Sequence, residues 1–189
     1  MVRSWIEATG SYVPEQILDN EACAALAGVT AEWIVRRTGI ESRRVAPNGV
    51  GTAVMAAAAA RQALSRSRLK LEDVELIVVA TSTPDHLTPP TASEVQAELG
   101  ALNAACFDVE AGFSAWLFAL IVADSLLQSN VAANALVIGA DKLSAITDRT
   151  DPDTGPLFGD GAGAVVLLKD RGWAQIRSVS WWSDGRLSD

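Results

Sequence analysis

Histidine is nearly missing from this chain: His86 is the only one among 189 residues. It sits in Thr83-Pro84-Asp85-His86-Leu87-Thr88-Pro89-Pro90, where a lone histidine reads as structural or exposed. No Ser-His-Asp relay can be assembled around it. Cysteine is also scarce, with Cys23 and Cys106 alone. That excludes a disulfide framework and a cysteine metal site, and a reducing cytoplasm is the expected compartment. No apolar run reaches membrane-spanning length; the longest, Ala115 to Ala123, fits a core helix. The start, Met1-Val2-Arg3-Ser4-Trp5-Ile6, has no apolar stretch ending in a cleavage site, so no secretory signal is expected. Basic charge is outnumbered: the formal net charge is −8, which argues against nucleic acid as the main partner. There is no short-period repeat and no dividing linker.

What remains is the composition of a globular domain, 49% apolar and 20% charged. A first strand is predicted over 4–10. Asp19 caps a helix ended by Gly28, and Thr30 caps another, over 31–38, ended by Gly39. Thr52 is read as the cap of a longer helix through the alanine run to Ser65, and Thr91 as the cap of one ended by Gly100. Leu76–Ala80 and Ala135–Gly139 are continuous apolar runs, as in strands buried on both faces. Cys106–Val109 is a further strand, followed by a helix from Ser114 to about Ser129. That helix is apolar on nearly every side through Ala123, so it is expected to be buried all round. Ala164–Leu168 is a strand, and 173–182 alternates enough for an edge or hairpin strand. Strands alternating with helices give an α/β class with a mostly parallel sheet covered on both faces.

Chemistry concentrates at Phe107-Asp108-Val109-Glu110-Ala111-Gly112-Phe113-Ser114-Ala115-Trp116. A strand feeds a helix N-terminus through small residues, where free N–H groups and the helix dipole favour negative charge. The side chain presented there is Phe113, which has neither nucleophilic nor acid–base chemistry. Gly159-Asp160-Gly161-Ala162-Gly163 lacks the Gly-Lys-Ser/Thr ending of a phosphate loop and precedes a strand. It is read as a tight turn bringing backbone close to the active-site helix. Asp108, Asp141 and Asp160 lie near strand ends, where capping and turn hydrogen bonds are the expected roles. Arg36, Arg37, Arg43 and Arg44 form a basic cluster, either a solvated surface or an anion-binding patch. Trp33 beside Arg36 and Arg37 fits ordinary helix packing on residue types alone, with base stacking as the alternative. The irregular loop 148–156 is of the kind that often carries function.

Several segments together resemble one family, β-ketoacyl-acyl carrier protein synthase III of the thiolase superfamily. They are Thr9-Gly10-Ser11-Tyr12-Val13-Pro14, Glu32-Trp33-Ile34-Val35 with Arg37-Thr38-Gly39-Ile40, Val78-Val79-Ala80-Thr81, Phe107-Asp108-Val109 and Phe158-Gly159-Asp160-Gly161-Ala162-Gly163-Ala164. The resemblance implies a layered αβαβα fold, of which this chain is the N-terminal half with the buried central helix. Residues 1–170 would be that half and 171–189 the start of the central region. It implies acyl transfer from acyl-CoA to a cysteine, then decarboxylating condensation with malonyl-acyl carrier protein, as in initiation of fatty-acid or polyketide synthesis. That reaction needs a dipole-activated thiolate and neutral donors, typically His and Asn, for the enolate. No metal and no separate cofactor are implied; acyl-CoA and the acyl carrier protein are substrates and partners. A homodimer is implied as well.

Carried over by position, Phe113 occupies the nucleophile's place. Trp33, Arg37 and Arg149 match residues that contact CoA or the carrier protein. Thr88, Leu143 and Phe158 match the acyl pocket, and Thr at position 88 suits a longer or branched primer. Phe113 is expected to fill the volume of the acyl-cysteine and to leave this chain inactive. Ser114 is displaced by about 100° around the helix, so it is poorly placed to substitute. The chain is about half the length the resemblance implies, and the His and Asn are not in it. The remainder of a longer protein, or a partner chain, is expected against its open face. Two alternatives stand beside the substituted synthase: a natural non-catalytic partner subunit, and an acyltransferase with a different nucleophile.

Overall fold

The computed structural model describes residues 4–169 and 171–187. The expected boundary at residue 170 lies outside them, as does part of the N-terminal stretch read for a secretory signal. β1 (Ser4–Tyr12) is followed by the short β2 (Ile17–Asp19), α1 (Asn20–Ala27), α2 (Ala31–Thr38) and β3 (Ser42–Arg44). Then come α3 (Thr52–Ser65), β4 (Leu76–Ala80), α4 (Thr91–Leu99) and β5 (Ala105–Val109). α5 (Ala115–Gln128), β6 (Asn134–Lys142), β7 (Asp160–Lys169) and β8 (Ala174–Gln175) complete the chain.

Six strands form one sheet in the order β5-β4-β6-β7-β1-β8, and β2 and β3 form a separate hairpin-like pair. β5, β4, β6 and β1 run in one direction, so the sheet is mostly parallel in strand direction. β7 opposes both of its neighbours, and β8 opposes β1. α3 and α4 cover one face and α5 the other, which is the layered α/β arrangement expected. A bulge in β1 between Ile6 and Ala8 changes the face its side chains point to: Ile6 packs on the α5 side and Ala8 on the α3 side.

Helix ends follow local chemistry where the sequence alone sets them. Asp19 accepts from the Ala22 amide at 2.8 Å, and Thr30 from the Trp33 amide at 3.1 Å. Gly28, Gly39 and Gly100 close their helices in the left-handed region that a Cβ disfavours.

Four expectations are corrected. Thr52 and Thr91 are the first residues of α3 and α4, not their caps. Asp85 accepts from the Thr52 and Ala53 amides, each at 2.9 Å. Asp108 accepts from Thr91 and Ala92, each at 2.7 Å. A carboxylate satisfies two free amides at once, so it displaces the local hydroxyl. The run Asp160–Gly163 is strand, not turn, because β6 supplies a full antiparallel ladder for it. Of the segment 173–182, only Ala174 and Gln175 are strand, since they alone pair with β1, at Ile6 and Trp5. Beyond them the chain runs over α5, with Trp181 5.3 Å from Phe118 between ring centroids.

The fourth correction concerns α5 itself. Ala115, Ala119, Ala123 and Leu127 are buried against the sheet, but Leu117 is 56% exposed. The outer side of the helix is only partly covered among the described residues: Ile176 packs with its cluster and Trp181 lies against Phe118, while Leu117 stays open.

Candidate active site

β5 carries the chain from Ala105 to Val109 along the sheet edge and releases it at Glu110. Ala111 and Gly112 make the corner, Gly112 with φ +55°, a conformation that favours glycine. A single 3-10 turn, Gly112–Ser114, then leads into α5. No acidic side chain lies in the first turn of α5, and Ser114 makes no capping bond. The positive end of the helix is therefore not offset by a local carboxylate, which suits a developing anion. Phe113 stands at that end and is 82% exposed. Its ring does not fill an interior cavity; it stacks on Phe158 with centroids 5.9 Å apart and planes inclined by 22°.

Neither neighbouring nucleophile takes the place of a side chain at position 113. Cys106 lies on β5, opposite Ile77, with its Sγ 3.5 Å from Ser93 Oγ. Ser114 is exposed and points away from the preceding residue by the helical rotation. His86 is on the outside of the molecule, its Nδ1 2.6 Å from Glu94 Oε1. Of the two expected readings, structural or exposed, the structure shows the exposed one.

Three aspartates anchor the loops around this helix end, in the capping and turn roles expected. Asp108 caps α4 as described. Asp141 accepts from Thr81 Oγ1 at 3.2 Å, the Ser82 amide at 2.8 Å and Thr83 Oγ1 at 3.0 Å. Asp160 accepts from the Ala46 amide at 2.7 Å, the Ser144 amide at 2.8 Å and Ser144 Oγ at 2.6 Å. Sequence reasoning missed two further anchors. Asp85 ties the loop after β4 to α3. Lys142 donates to the Val50 carbonyl at 2.8 Å and, through its amide, to Thr83 Oγ1 at 2.8 Å. The signal for Asp85 was present: an aspartate just after a proline in the loop that leaves a buried strand.

The residues expected for the acyl pocket occupy three loops at this end of the sheet. Thr88 is exposed in the loop between β4 and α4, beside Leu87, which is 96% exposed. Leu143 opens a 3-10 turn directly after β6 and is half-buried. Phe158 is half-buried just before β7. Among these, the structure brings Phe113 and Phe158 into contact. Behind them Trp116 packs over Gly139, where a Cβ would lie 2.9 Å from Trp116 Cδ1. The indole therefore requires glycine at that point of β6. A hollow of about 380 Å³ opens beside it, floored by Thr9, Gly10 and Gly163.

Trp33 and Arg37 lie on α2, with the Arg37 guanidinium 4.9 Å from the centre of the Trp33 ring. Arg37 is exposed and Trp33 half-buried against the cluster of Cys23, Ala24 and Ile34. The basic cluster divides. Arg36 and Arg37 face solvent, whereas Arg43 is buried and donates to Asn20 Oδ1 at 2.8 Å and the Pro156 carbonyl at 2.6 Å. Arg44 donates to the Pro14 carbonyl at 2.9 Å. Arg43 is thus internal structure, because buried carbonyls need donors, while Arg44 is exposed and tied to the backbone at one carbonyl. Arg149 likewise closes its own loop, donating to the carbonyls of Gly155 at 2.7 Å and Phe158 at 2.9 Å. In the same loop Asp148 is held below the usual carboxylate range by the Thr150 hydroxyl and then its amide. Asp151 is lowered by the Thr154 hydroxyl and then the Asp153 amide.

Among the described residues no cluster of ligating side chains could hold a metal ion, and no helix is long and apolar enough to cross a membrane.

Comparison with known proteins agrees with this fold. The family model for 3-oxoacyl-[acyl-carrier-protein (ACP)] synthase III matches residues 107–185. A β-ketoacyl-[acyl-carrier-protein] synthase III of Rhodospirillum centenum is 46% identical over 192 aligned residues, covering 100% of this chain and 59% of that protein. The crystal structure of the synthase III of Aquifex aeolicus superposes with a TM-score of 0.84 at 44% identity, over 87% of this chain and 53% of that one. The priming β-ketosynthase of the R1128 polyketide pathway gives 0.85 at 36% identity, over 87% and 49%. The chain thus spans about three-fifths of the length of the curated relative.

Proposed function

We propose that this chain, which resembles β-ketoacyl-acyl carrier protein synthase III over its whole length, is the N-terminal part of a decarboxylating condensation scaffold whose nucleophile position is occupied by Phe113. The observation that carries this is the position of Phe113 itself. It stands on the turn that enters α5, at the positive helix end, beside Phe158 and below loops pinned by Asp108, Asp141 and Asp160.

In the reaction this scaffold supports, a thiolate at position 113 attacks the thioester carbon of acyl-CoA, and the CoA thiolate leaves and takes a proton. Malonyl-acyl carrier protein then loses carbon dioxide, and the resulting enolate attacks the acyl-enzyme carbon. The enzyme thiolate leaves, and the product is a β-ketoacyl-carrier protein. Phe113 forms no thioester, so this chain does not carry out the first step. The donors that stabilise the enolate come from outside the chain, because His86 is committed to Glu94 on the outer surface. Trp33 and Arg37 contact the CoA moiety, Arg149 holds the loop at the entrance, and Thr88, Leu143 and Phe158 border the acyl chain. The open face of α5 is covered by the remaining two-fifths of a longer protein or by a partner chain, and the assembly is dimeric.

The test is Phe113→Cys in a chain extended to the length of its relatives. Incubated with acyl-CoA, the variant gains the mass of one acyl group and releases one CoA, while the Phe113 form gains none. A variant that never takes up acyl overturns the assignment. An adduct on the Phe113 form that disappears in Ser114→Ala would move the nucleophile to Ser114 and overturn it as well.

The open face of α5 favours a second reading, a non-catalytic subunit that completes a cysteine-bearing relative. Native mass measurement after co-expression separates the two: a stable hetero-oligomer supports it, and self-association alone removes it.

A further inference from the structure

The end of the sheet opposite Phe113 has chemistry that condensation does not use. β1 begins and β7 ends there, whereas Phe113 and Leu143 leave the sheet at the other end. A cavity of about 600 Å³ is lined by Arg66, Arg68, Arg171, Trp173 and Glu7. A second hollow of about 360 Å³ shares Arg68 and Arg171 and adds Lys169, which donates to Asn130 Oδ1 at 3.0 Å, and one carboxylate, Asp73. In a chain of net charge −8, this is a local concentration of cations.

The backbone holds these side chains in place. Arg68 donates its amide to Glu7 Oε1 at 3.0 Å, and Trp173 donates its amide to the Ile6 carbonyl at 3.0 Å. Between Arg171 and Trp173, Gly172 passes so close to β1 that a Cβ would lie 2.5 Å from the Ile6 oxygen. Arg66 is half-committed, with Nη1 donating to the Thr9 carbonyl at 3.1 Å. The guanidiniums of Arg68 and Arg171 make no hydrogen bond or ion pair among the described residues. Trp173 is 70% exposed. Glu7 is the one carboxylate on the larger cavity; its Oε1 accepts from the Arg68 amide, and its Oε2 is buried without a partner among the described residues.

Three like charges at one cleft repel, and an open indole leaves apolar area in water; an anionic ligand with a flat ring relieves both. Guanidinium forks match phosphate oxygens, and a tryptophan face stacks on a base or binds cations. We propose that this cleft binds a nucleoside diphosphate or triphosphate, with the phosphates between Arg68 and Arg171 and the base on Trp173. This site is separate from the Trp33–Arg37 face of α2 and stands independently of the condensation reading.

The test is fluorescence anisotropy of a ring-labelled ADP titrated with the 189-residue chain. Saturable binding is expected that weakens with added salt. Arg68→Ala with Arg171→Ala should weaken it by about tenfold or more, the scale of losing charge-assisted bonds. Trp173→Leu should weaken it by about two- to fivefold. These side chains are exposed, so melting curves should match the parent. Arg37→Ala should bind like the parent; binding lost in that variant alone would place the nucleotide on α2 and overturn the proposal. Absence of saturable binding overturns it too. Displacement by pyrophosphate as readily as by unlabelled ADP would show that the base is not recognised, and overturns the nucleotide assignment.

Discussion

The two faces of the sheet are covered very differently. On one, α3 presents Ala56, Ala57, Ala59, Ala60 and Ala63, all fully buried, and its backbone lies against β1 so closely that Gly10 has no room for a Cβ beside Ala59 and Ala63. On the other, α5 is the more apolar helix, yet it exposes Leu117 and leaves the hollow beside Trp116 open. Hydrophobicity therefore did not decide which helix is enclosed. Small side chains allow close approach and full burial of the inner face of α3, though Val54 on its other side is exposed, whereas large ones on both sides of α5 need a second layer.

The sharpest way to break the comparison is to add volume to each face. Gly10→Val forces a side chain into the backbone of α3 and should cost more than about 3 kcal/mol, read from denaturant unfolding. Gly163→Ala, on the α5 face, meets nothing within 4 Å and should change stability by less than about 0.5 kcal/mol. Equal costs would show that the α5 face is already filled.

A smaller effect is expected at the start of α3. Asp85→Ala leaves the Thr52 and Ala53 amides without their acceptor and should cost about 1–2 kcal/mol, the scale of a lost N-cap. Amide exchange of the first turn of α3 should quicken more than that of its last turn. An unchanged melting temperature would remove Asp85 as an anchor.

The smallest effect belongs to the exposed loop 148–156, away from either face. Asp148 and Asp151 have folded values below the ordinary carboxylate value of about 3.9. A depressed folded value contributes stability above the unfolded pKa, lost as pH falls through the folded value. Chemical shifts of the Thr150 and Asp153 amides should therefore hold steady down to about pH 4 and move only below it. Movement between pH 5 and 7 would contradict these bonds.

How much was legible depended on how far each partner lay along the chain. Asp19, Thr30, Gly28, Gly39 and Gly100 act within one or two turns, and each was placed correctly. The caps of α3 and α4 were not, because Asp85 and Asp108 come from 33 and 17 residues away. Arg43 shows the same limit: its partner Pro156 is 113 residues distant, so the sequence showed only a basic cluster. At the candidate site, Phe113 at a helix entry was readable from the strand-to-helix pattern. Its stacking on Phe158, its exposure and the pairing of Trp116 with Gly139 were not.

By itself the sequence determined the alternation of strands and helices, the glycine stops, and the identity of the side chain at the entry to α5. These rest on local backbone preference, side-chain periodicity and composition, which act over a few residues. Only the tertiary structure decided which face of the sheet is closed, which carboxylates cap which helices, and that three arginines and a tryptophan share one cleft far from Phe113. Those outcomes depend on which distant segments approach one another, and that is set by the volumes and hydrogen-bonding needs of the assembled chain.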